Sequence, residues 1–215
     1  VTSLLYAALG KDFSEKNKKL LGTPFAQFMK FTSEIRTLFK VGEKQHIAAR
    51  LMGGVLWSYG NQTIAPYSEQ FYIGGANSLR AFTVRSLGPG TYNPGKNTKY
   101  GYLDQTGDIK LEANVEYRFP IFGELYGATF LDAGNVWLMR KDESRPGGEL
   151  TLKNFAKSIA LNTGVGVRYD LTFLVIRLDM GIALHVPYET GKSGYYNIPK
   201  FKDGLGLHFA IGYPF

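Results

Sequence analysis

Apolar and polar side chains alternate with a period of two along several long stretches of this chain, most clearly in residues 109–119. The apolar side chains there are Ile109, Leu111, Ala113, Val115, Tyr117 and Phe119, and the polar ones are Lys110, Glu112, Asn114, Glu116 and Arg118. Successive side chains of a β-strand point to opposite faces, so this stretch predicts a strand with one apolar and one polar face.

The same alternation recurs elsewhere and predicts an all-β, antiparallel protein. Strong patterns cover residues 158–169, 174–184 and 205–215, and weaker ones cover 26–39, 46–59 and 125–137. Residues 1–9 are a further candidate, so the pattern predicts seven or eight strands.

The connections between these strands favour a transmembrane barrel over a soluble sandwich, which would also have one polar face. Short connections at 40–45, 120–124 and 170–173 alternate with long ones at 10–24, 60–108, 138–157 and 185–203. Short turns on one side and long loops on the other are typical of outer-membrane barrels. The last strand follows a long connection, so its end, and the C-terminus, would lie on the periplasmic side.

Aromatic side chains near the predicted strand ends fit the two interfaces of a membrane, where such rings are enriched. They are Tyr117, Phe119, Trp137, Tyr169, Phe173, Tyr213 and Phe215. No apolar run approaches the roughly 18 residues that a spanning helix requires. The barrel would therefore cross the bilayer with strands.

Composition excludes several other classes of protein. The chain has no cysteine, which excludes a disulfide framework or a cysteine–zinc site. Its net charge is +7, but no Lys/Arg run exceeds two residues, which disfavours nucleic-acid binding. The N-terminus lacks the basic leader and cleavage site of a signal peptide, so we expect a processed protein or part of a longer one.

The connection at 60–108 is too long to be structureless in a compact domain and indicates a functional loop. It contains the paired glycines Gly74 and Gly75, which permit tight turns, and Arg80 among aromatic residues. If the loop folds into the barrel, Arg80 can pair with Asp132 and Glu116, with Glu112 as a further candidate anion. Alternatively, Arg80 is solvated outside and Asp132 pairs with Lys110 or Arg177.

The residues do not suggest catalysis. A hydrolase needs a nucleophile, a base and an orienting group, and the histidines are limited to His46, His185 and His208. His208 falls on the polar face of the last strand beside small residues, which favours a lumen-facing residue or a polar residue of the β-signal. With no metal-ligand or phosphate-loop motif, the sequence predicts neither an enzyme nor a cofactor.

Three motifs occur in order along the chain, at residues 74–82, 130–134 and 208–215. Together they resemble those of the BamA/TamA outer-membrane insertase superfamily, and the resemblance spans about residues 24–215. Residues 130–134, Phe-Leu-Asp-Ala-Gly, resemble its F-x-D-x-G strand motif, and residues 208–215 resemble the C-terminal β-signal. The inward-folded V-R-G-F/Y loop motif is matched by residues 74–82, in which we single out Gly74, Gly75, Leu79, Arg80, Ala81 and Phe82. Leu79 and Ala81 replace the usual Val and Gly, a form most similar to TamA-like (TamL) members from Bacteroidetes.

The resemblance implies a sixteen-stranded barrel preceded by POTRA domains. Residues 1–215 would be the C-terminal part of that one barrel domain and supply its last seven or eight strands. The loop at 60–108 would lie in the lumen, and 205–215 would close the barrel. In the family the loop arginine contacts the motif aspartate, which implies an Arg80–Asp132 pair with Glu116 contributing. If Ala81 needs a positive φ, it carries a small strain.

The implied function is the insertion or export of outer-membrane proteins through a lateral seam at the last strand. An edge strand that contains glycines is weakly held and can template an incoming strand. The seam residues would be Gly206, His208, Ala210, Gly212, Tyr213 and Phe215. Expected partners are the outer-membrane bilayer with its lipopolysaccharide and phospholipid, client outer-membrane proteins, and a periplasm-spanning inner-membrane partner or accessory lipoproteins.

Three other functions fit parts of the pattern. A two-partner-secretion transporter shares the motifs but exports a polypeptide through its pore. A small closed barrel of eight strands would serve as an adhesin or structural protein, but its interior has room only for side chains. A phospholipase fused to such a barrel would carry its catalytic residues in another domain.

Overall fold

A computed structural model describes residues 7–9, 18–20, 23–93 and 105–215. The strands in these residues are β1 (Lys19–Leu20), β2 (Thr23–Pro24), β3 (Gln27–Gly42), β4 (Gln45–Tyr59), β5 (Ile109–Phe122), β6 (Leu125–Trp137), β7 (Ala160–Asp170), β8 (Val175–His185) and β9 (Leu205–Ile211). Short helical turns occur at Tyr67–Glu69, Leu152–Asn154, Phe155–Ser158 and Phe201–Gly204. Among the described residues, no helix is both long and apolar enough to cross a bilayer.

Strands β3 to β9 form one seven-stranded sheet in which every strand pairs with its sequence neighbour in antiparallel fashion. Strands β1 and β2 form a separate small hairpin. The predicted all-β class and the seven predicted strands are therefore confirmed. Of the candidate eighth strand, residues 1–6 lie outside the described residues, and residues 7–9 form a helical turn instead of a strand.

The connections alternate in length as the sequence predicts. Two residues link β3 to β4 and β5 to β6, and four residues link β7 to β8. Residues 60–108, 138–159 and 186–204 form the long links. All the short links thus lie at one end of the sheet, and the long ones lie at the other. The 60–108 loop joins β4 to β5, which are paired directly with each other.

The two faces of the sheet differ sharply in polarity because the side chains alternate. On β5, Glu112 and Glu116 are fully buried, whereas Val115 between them is 46% exposed. On β7, Asn162 and Arg168 are fully buried, whereas Val165 is 48% exposed. The apolar side chains face outward and the charges face inward, which is the arrangement that suits a wall surrounded by lipid.

The sheet is strongly curved, with its polar face on the inside. In a flat sheet β4 and β8 would lie about 19 Å apart, because four strand spacings of about 4.8 Å separate them, and their side chains would stand perpendicular to it. Arg50 of β4 nevertheless donates a hydrogen bond of 2.8 Å to the carbonyl of Asn77, and Arg177 of β8 donates to the side-chain oxygen of the same residue. Both walls therefore close on the 60–108 loop.

The described part of that loop fills the concave side of the sheet and carries its own apolar core. The buried cluster joins loop residues to four of the strands and to the link after β8, and it includes Phe71, Ile73, Leu79, Leu87, Leu56, Val136, Ala160, Ala183, Val186 and Ile198. Burial of these side chains stabilises the loop by the hydrophobic effect, at about 25 cal/mol for each Å² of apolar surface removed from water. The described part of the loop is thus packed against the concave face of the sheet.

The base of the loop is fastened to the sheet through the backbone of Asp108. Its carbonyl accepts a 2.7 Å hydrogen bond from the amide of Leu56, and its amide donates one of 2.7 Å to the carbonyl of Trp137. The Asp108 carboxylate also accepts a 3.1 Å hydrogen bond from the amide of Met139. Burial raises the pKa of this carboxyl above its usual value.

Two features near strand ends differ from the prediction. Strand β9 ends at Ile211, because Gly212 adopts a φ of +82° and turns the chain out of the sheet. The predicted strand at 205–215 is therefore four residues too long at its end. The Tyr213 ring centre lies 4.2 Å from the guanidinium of Arg118, and the Phe215 ring centre lies 5.3 Å from the guanidinium of Arg50.

Trp137 is buried and does not join an outer aromatic belt. Its ring stacks on Phe155 with 5.7 Å between centroids, and its Nε1 donates a 3.0 Å hydrogen bond to Ser158. Alternation fails to predict this because the chain leaves the regular sheet at Trp137 and the following loop covers the ring. Tyr169 and Phe173 are exposed, at 48% and 85%, as an interfacial belt requires.

We predict that Val165→Arg, in the middle of the outer face, destabilises the intact protein in lipid vesicles. A cation at mid-membrane depth on the lipid face of a barrel costs about 2–4 kcal/mol of unfolding free energy. Urea unfolding in vesicles measures this cost, and Val165→Leu is the control. An arginine without effect would mean that this face is in contact with water.

Candidate functional site: the interior ion-pair cluster and the last strand

The tip of the long loop is a tight turn that aims Arg80 at the wall of the sheet. Gly74 and Gly75 adopt φ angles of +96° and +91°, which glycine reaches without strain. The amide of Gly75 donates a 2.7 Å hydrogen bond to the carbonyl of Phe82, which closes the turn around the motif. Ala81 does not adopt a positive φ, so its backbone does not carry the strain that the sequence suggested.

Arg80 is fully buried and lies against two carboxylates of the sheet. Its Nε and Nη2 donate hydrogen bonds of 3.0 and 2.9 Å to the two oxygens of Asp132 on β6. Its Nη1 pairs with Glu116 on β5. The Phe130 ring lies 3.5 Å from the centre of the guanidinium, so a cation–π contact supports the same group. The structure thus brings together all the residues of the implied Arg80 pair.

The alternative placements of these charges are not observed. Arg80 has no solvent exposure, which excludes a solvated position outside the sheet. Lys110 lies 2.9 Å from Glu112, and Arg177 lies 2.6 Å from Asp179, so neither is the partner of Asp132. Asn114 and Asn162 instead donate hydrogen bonds of 2.9 and 3.0 Å to Asp132.

Sequence reasoning missed the second half of this cluster, which extends to β7 and β8. Arg168 lies 3.0 Å from Glu116 and 2.6 Å from Asp179. Asp179 also lies 2.6 Å from Arg177 and 3.9 Å from Arg80. We call Arg80, Glu116, Asp132, Arg168, Arg177 and Asp179 the interior ion-pair cluster. The inward positions of the five strand residues followed from the alternation. The contacts that these residues make with one another across four strands did not.

A second group of polar residues holds the loop tip to β4 and β5. Arg50 pairs with Glu112 and donates a 3.0 Å hydrogen bond to Asn114. The hydroxyl of Ser78 donates a 2.8 Å hydrogen bond to Glu112, and the side chain of Asn114 donates one of 3.0 Å to the Ser78 carbonyl. The tip is therefore anchored on both sides.

The predicted seam residues divide between the strand and the chain beyond it. Gly206, His208 and Ala210 lie on the inward face of β9, opposite Gly181, Asp179 and Arg177 of β8. Gly212 forms the turn after the strand, with its amide donating a 2.7 Å hydrogen bond to the carbonyl of Val175. Tyr213 and Phe215 follow it and lie beside arginines that face the interior.

The chemistry of the site is that of a structural clamp. Arginine and carboxylate groups that are buried together stabilise one arrangement strongly only while every partner is present, since an unpaired buried charge costs about 3–5 kcal/mol. The described residues contain no group of three or more His, Asp or Glu side chains placed to hold a metal ion. The arrangement fixes the loop against the wall.

Comparison with known protein families matches this chain to the Omp85 superfamily domain over residues 12–215. The BamA outer-membrane protein assembly factor of Neisseria meningitidis serogroup B is 34% identical over 90 residues, covering 39% of this chain and 11% of that protein. The human sorting and assembly machinery component 50 homolog is 28% identical over 150 residues, covering 67% of this chain and 30% of that protein.

Among solved structures, BamA from Haemophilus ducreyi lacking POTRA domains 1–3 has a similar fold. Its TM-score is 0.61 at 17% sequence identity, and the match covers 90% of this chain and 36% of that one. This likeness concerns the fold of the barrel wall. The chain spans 11% and 30% of the lengths of the two curated relatives above.

We predict that Arg80→Ala and Asp132→Ala each lower the unfolding free energy in vesicles by about 3–5 kcal/mol, because each leaves a buried charge without its partner. The double variant should cost less than the sum of the two, by roughly 1–3 kcal/mol, since the residues are in contact.

Arg145→Ala is the matched control, because Arg145 forms a 2.8 Å pair with Asp142 that is partly exposed. An exposed pair of this kind contributes about 1 kcal/mol or less. Additive effects of the Arg80 and Asp132 substitutions, or effects no larger than that of the control, would contradict the clamp.

Proposed function

This chain belongs to the Omp85 superfamily, and on that premise we propose that it is the C-terminal part of an outer-membrane protein assembly factor. In this role the barrel inserts other outer-membrane proteins through a lateral seam at β9. Two relatives support the proposal, since the names of both describe an assembly function. The role assigned is insertion or transport and involves no catalytic residue.

The observation that carries the proposal is the short length of β9. It is the shortest strand of the seven-stranded sheet and pairs with β8 through only the seven residues Leu205–Ile211, whereas β3 has 16 residues. Its other edge presents backbone donors and acceptors that a further strand can satisfy. An extended client segment can add at such an edge by main-chain hydrogen bonds.

The orientation of the proposed barrel follows from its connections. The long links lie at one end of the sheet and the short links at the other, and β9 ends on the side of the short links. In outer-membrane barrels the short turns are periplasmic. We therefore place the C-terminus in the periplasm, where POTRA domains and an inner-membrane-anchored partner or accessory lipoproteins would also be found.

The interior ion-pair cluster has a distinct part in this function. It holds the loop against the inner face of the barrel wall, and the loop in turn keeps the barrel interior occupied. The loop then braces the wall next to the seam when no client is present. The outer face would contact phospholipid and lipopolysaccharide, and clients would contact β9.

Photo-crosslinking in the intact protein can test the seam. A crosslinking amino acid at Leu207, 69% exposed on β9, should capture a client strand during insertion. The same amino acid at Val165, 48% exposed in mid-sheet, is the control and should capture lipid alone. Equal capture of client at both positions would contradict entry at β9.

A second prediction concerns closure of the same seam. A disulfide that tethers β9 to the strand closing the barrel should abolish client insertion, and a reductant should restore it, because the edge of β9 is occupied while the tether holds. Insertion is followed by the protease protection of a client in vesicles. Undiminished insertion by the oxidised protein would refute the lateral route.

A further inference from the structure

The peptide bond between Arg80 and Ala81 lies directly on the backbone of the last two strands. Gly181 of β8 and Gly206 of β9 are paired with each other and both face the interior. An added Cβ on Gly181 would lie 2.6 Å from the amide nitrogen of Ala81, and one on Gly206 would lie 2.7 Å from the carbonyl oxygen of Arg80. These distances are shorter than real Cβ contacts allow, and the opposing atoms belong to the backbone.

The neighbouring inward positions show that the pair is unusual. Ala183 lies two residues beyond Gly181 on β8, and Ala210 lies four beyond Gly206 on β9, so a methyl group is accommodated elsewhere on this face. Glycine within a strand weakens it and commonly marks a close approach of another backbone. Here the approaching backbone is that of the loop.

The same peptide is held from both directions. The side chain of Arg80 reaches Asp132 and Glu116 on β6 and β5. The peptide that follows Arg80 lies against Gly181 of β8 and Gly206 of β9. One short segment of the loop therefore links the middle of the sheet to the strand at its edge.

We propose that Gly181 and Gly206 form a docking slot through which the long loop positions β9. While the loop is docked, β9 is clamped between β8 and the Arg80–Ala81 peptide and keeps its register. When the loop leaves the slot, β9 loses this contact, is held by strand pairing alone, and loosens. The inference rests on the proposed function only in taking β9 as the seam strand.

The physical basis of this coupling is reciprocity. If docking of the loop stabilises the paired form of β9, then loosening of β9 must weaken docking of the loop by the same free energy. A client strand that displaces β9 would therefore release the Arg80–Ala81 peptide from the slot, and release of that peptide would ease entry at the seam. The slot makes the two events one equilibrium.

Hydrogen exchange of the intact protein in vesicles, without client, tests the slot directly. Gly206→Ala should raise the exchange rates of β9 amides about tenfold relative to those of β5, in the range expected when contacting residues are uncoupled. Gly53→Ala is the matched control, because the nearest atom to an added Cβ there is 4.0 Å away. The control should leave β9 exchange unchanged.

Release of the loop is followed by thiol labelling in a Leu79→Cys background, because Leu79 is fully buried and the chain has no cysteine of its own. Gly181→Ala and Gly206→Ala should each increase labelling. The double variant should have less than the product of the two effects, because either methyl group displaces the same peptide. Multiplied effects, or a released loop with β9 exchange unchanged, would overturn the proposal.

Arg80→Lys keeps the test decisive if the glycine variants do not fold. Lysine retains the charge but cannot reproduce the two-point contact with Asp132, so the loop should loosen from a site remote from the slot. Faster exchange in β9 supports the slot, and unchanged exchange with increased labelling at position 79 rejects it. None of these readouts uses client insertion, so a failed insertion assay would count against the proposed function alone.

Discussion

The buried guanidinium of Arg80 is the constraint on which the rest of this structure depends. A charge without solvent contact is stable only where carboxylates meet it from several directions, and here those carboxylates come from β5 and β6. They reach it because the loop turns back at Gly74 and Gly75, and the sheet curves so that Arg50 of β4 and Arg177 of β8 both contact Asn77 of the same loop. The shape of the wall and the path of the loop are therefore fixed together.

Ion pairs occupy much of the interior in the part of the chain that the structure describes. Four buried arginines, Arg50, Arg80, Arg168 and Arg177, face four buried carboxylates, Glu112, Glu116, Asp132 and Asp179, and the mostly buried Lys110 and Arg118 add cations at Glu112 and Glu116. Such pairing does not by itself stabilise a fold more than apolar packing would, since desolvation offsets much of the attraction. It specifies one arrangement, because a shifted strand register would separate several pairs at once.

Features that depend on residues near one another in the sequence could be predicted, whereas contacts between distant strands could not. Strand positions, inward and outward faces and the loop boundaries depend on local alternation, so residues 109–119 predict β5 almost to its ends. The pairing of Arg80 with Asp132 was suggested by resemblance to a family and was only one of two placements by spacing. Arg168 and Asp179 were missed because their contact depends on the registers of β5, β7 and β8 together. The inward turn at Gly212 was missed because glycine permits a positive φ without requiring it.

Two different kinds of contact hold the same loop segment. Ion pairs hold the side chain of Arg80 on β5 and β6, and two glycines accommodate the Arg80–Ala81 peptide on β8 and β9. Ion pairs in a dry interior hold strongly but fail as a unit when one partner leaves, whereas backbone packing on Gly181 and Gly206 is a short-range contact that a displacement of about one methyl group abolishes. A wall that must stay closed between events and open during them needs both kinds of contact. The strong one retains the loop on β5 and β6, and the short-range one lets β9 leave without breaking the ion pairs between β5, β6 and β7.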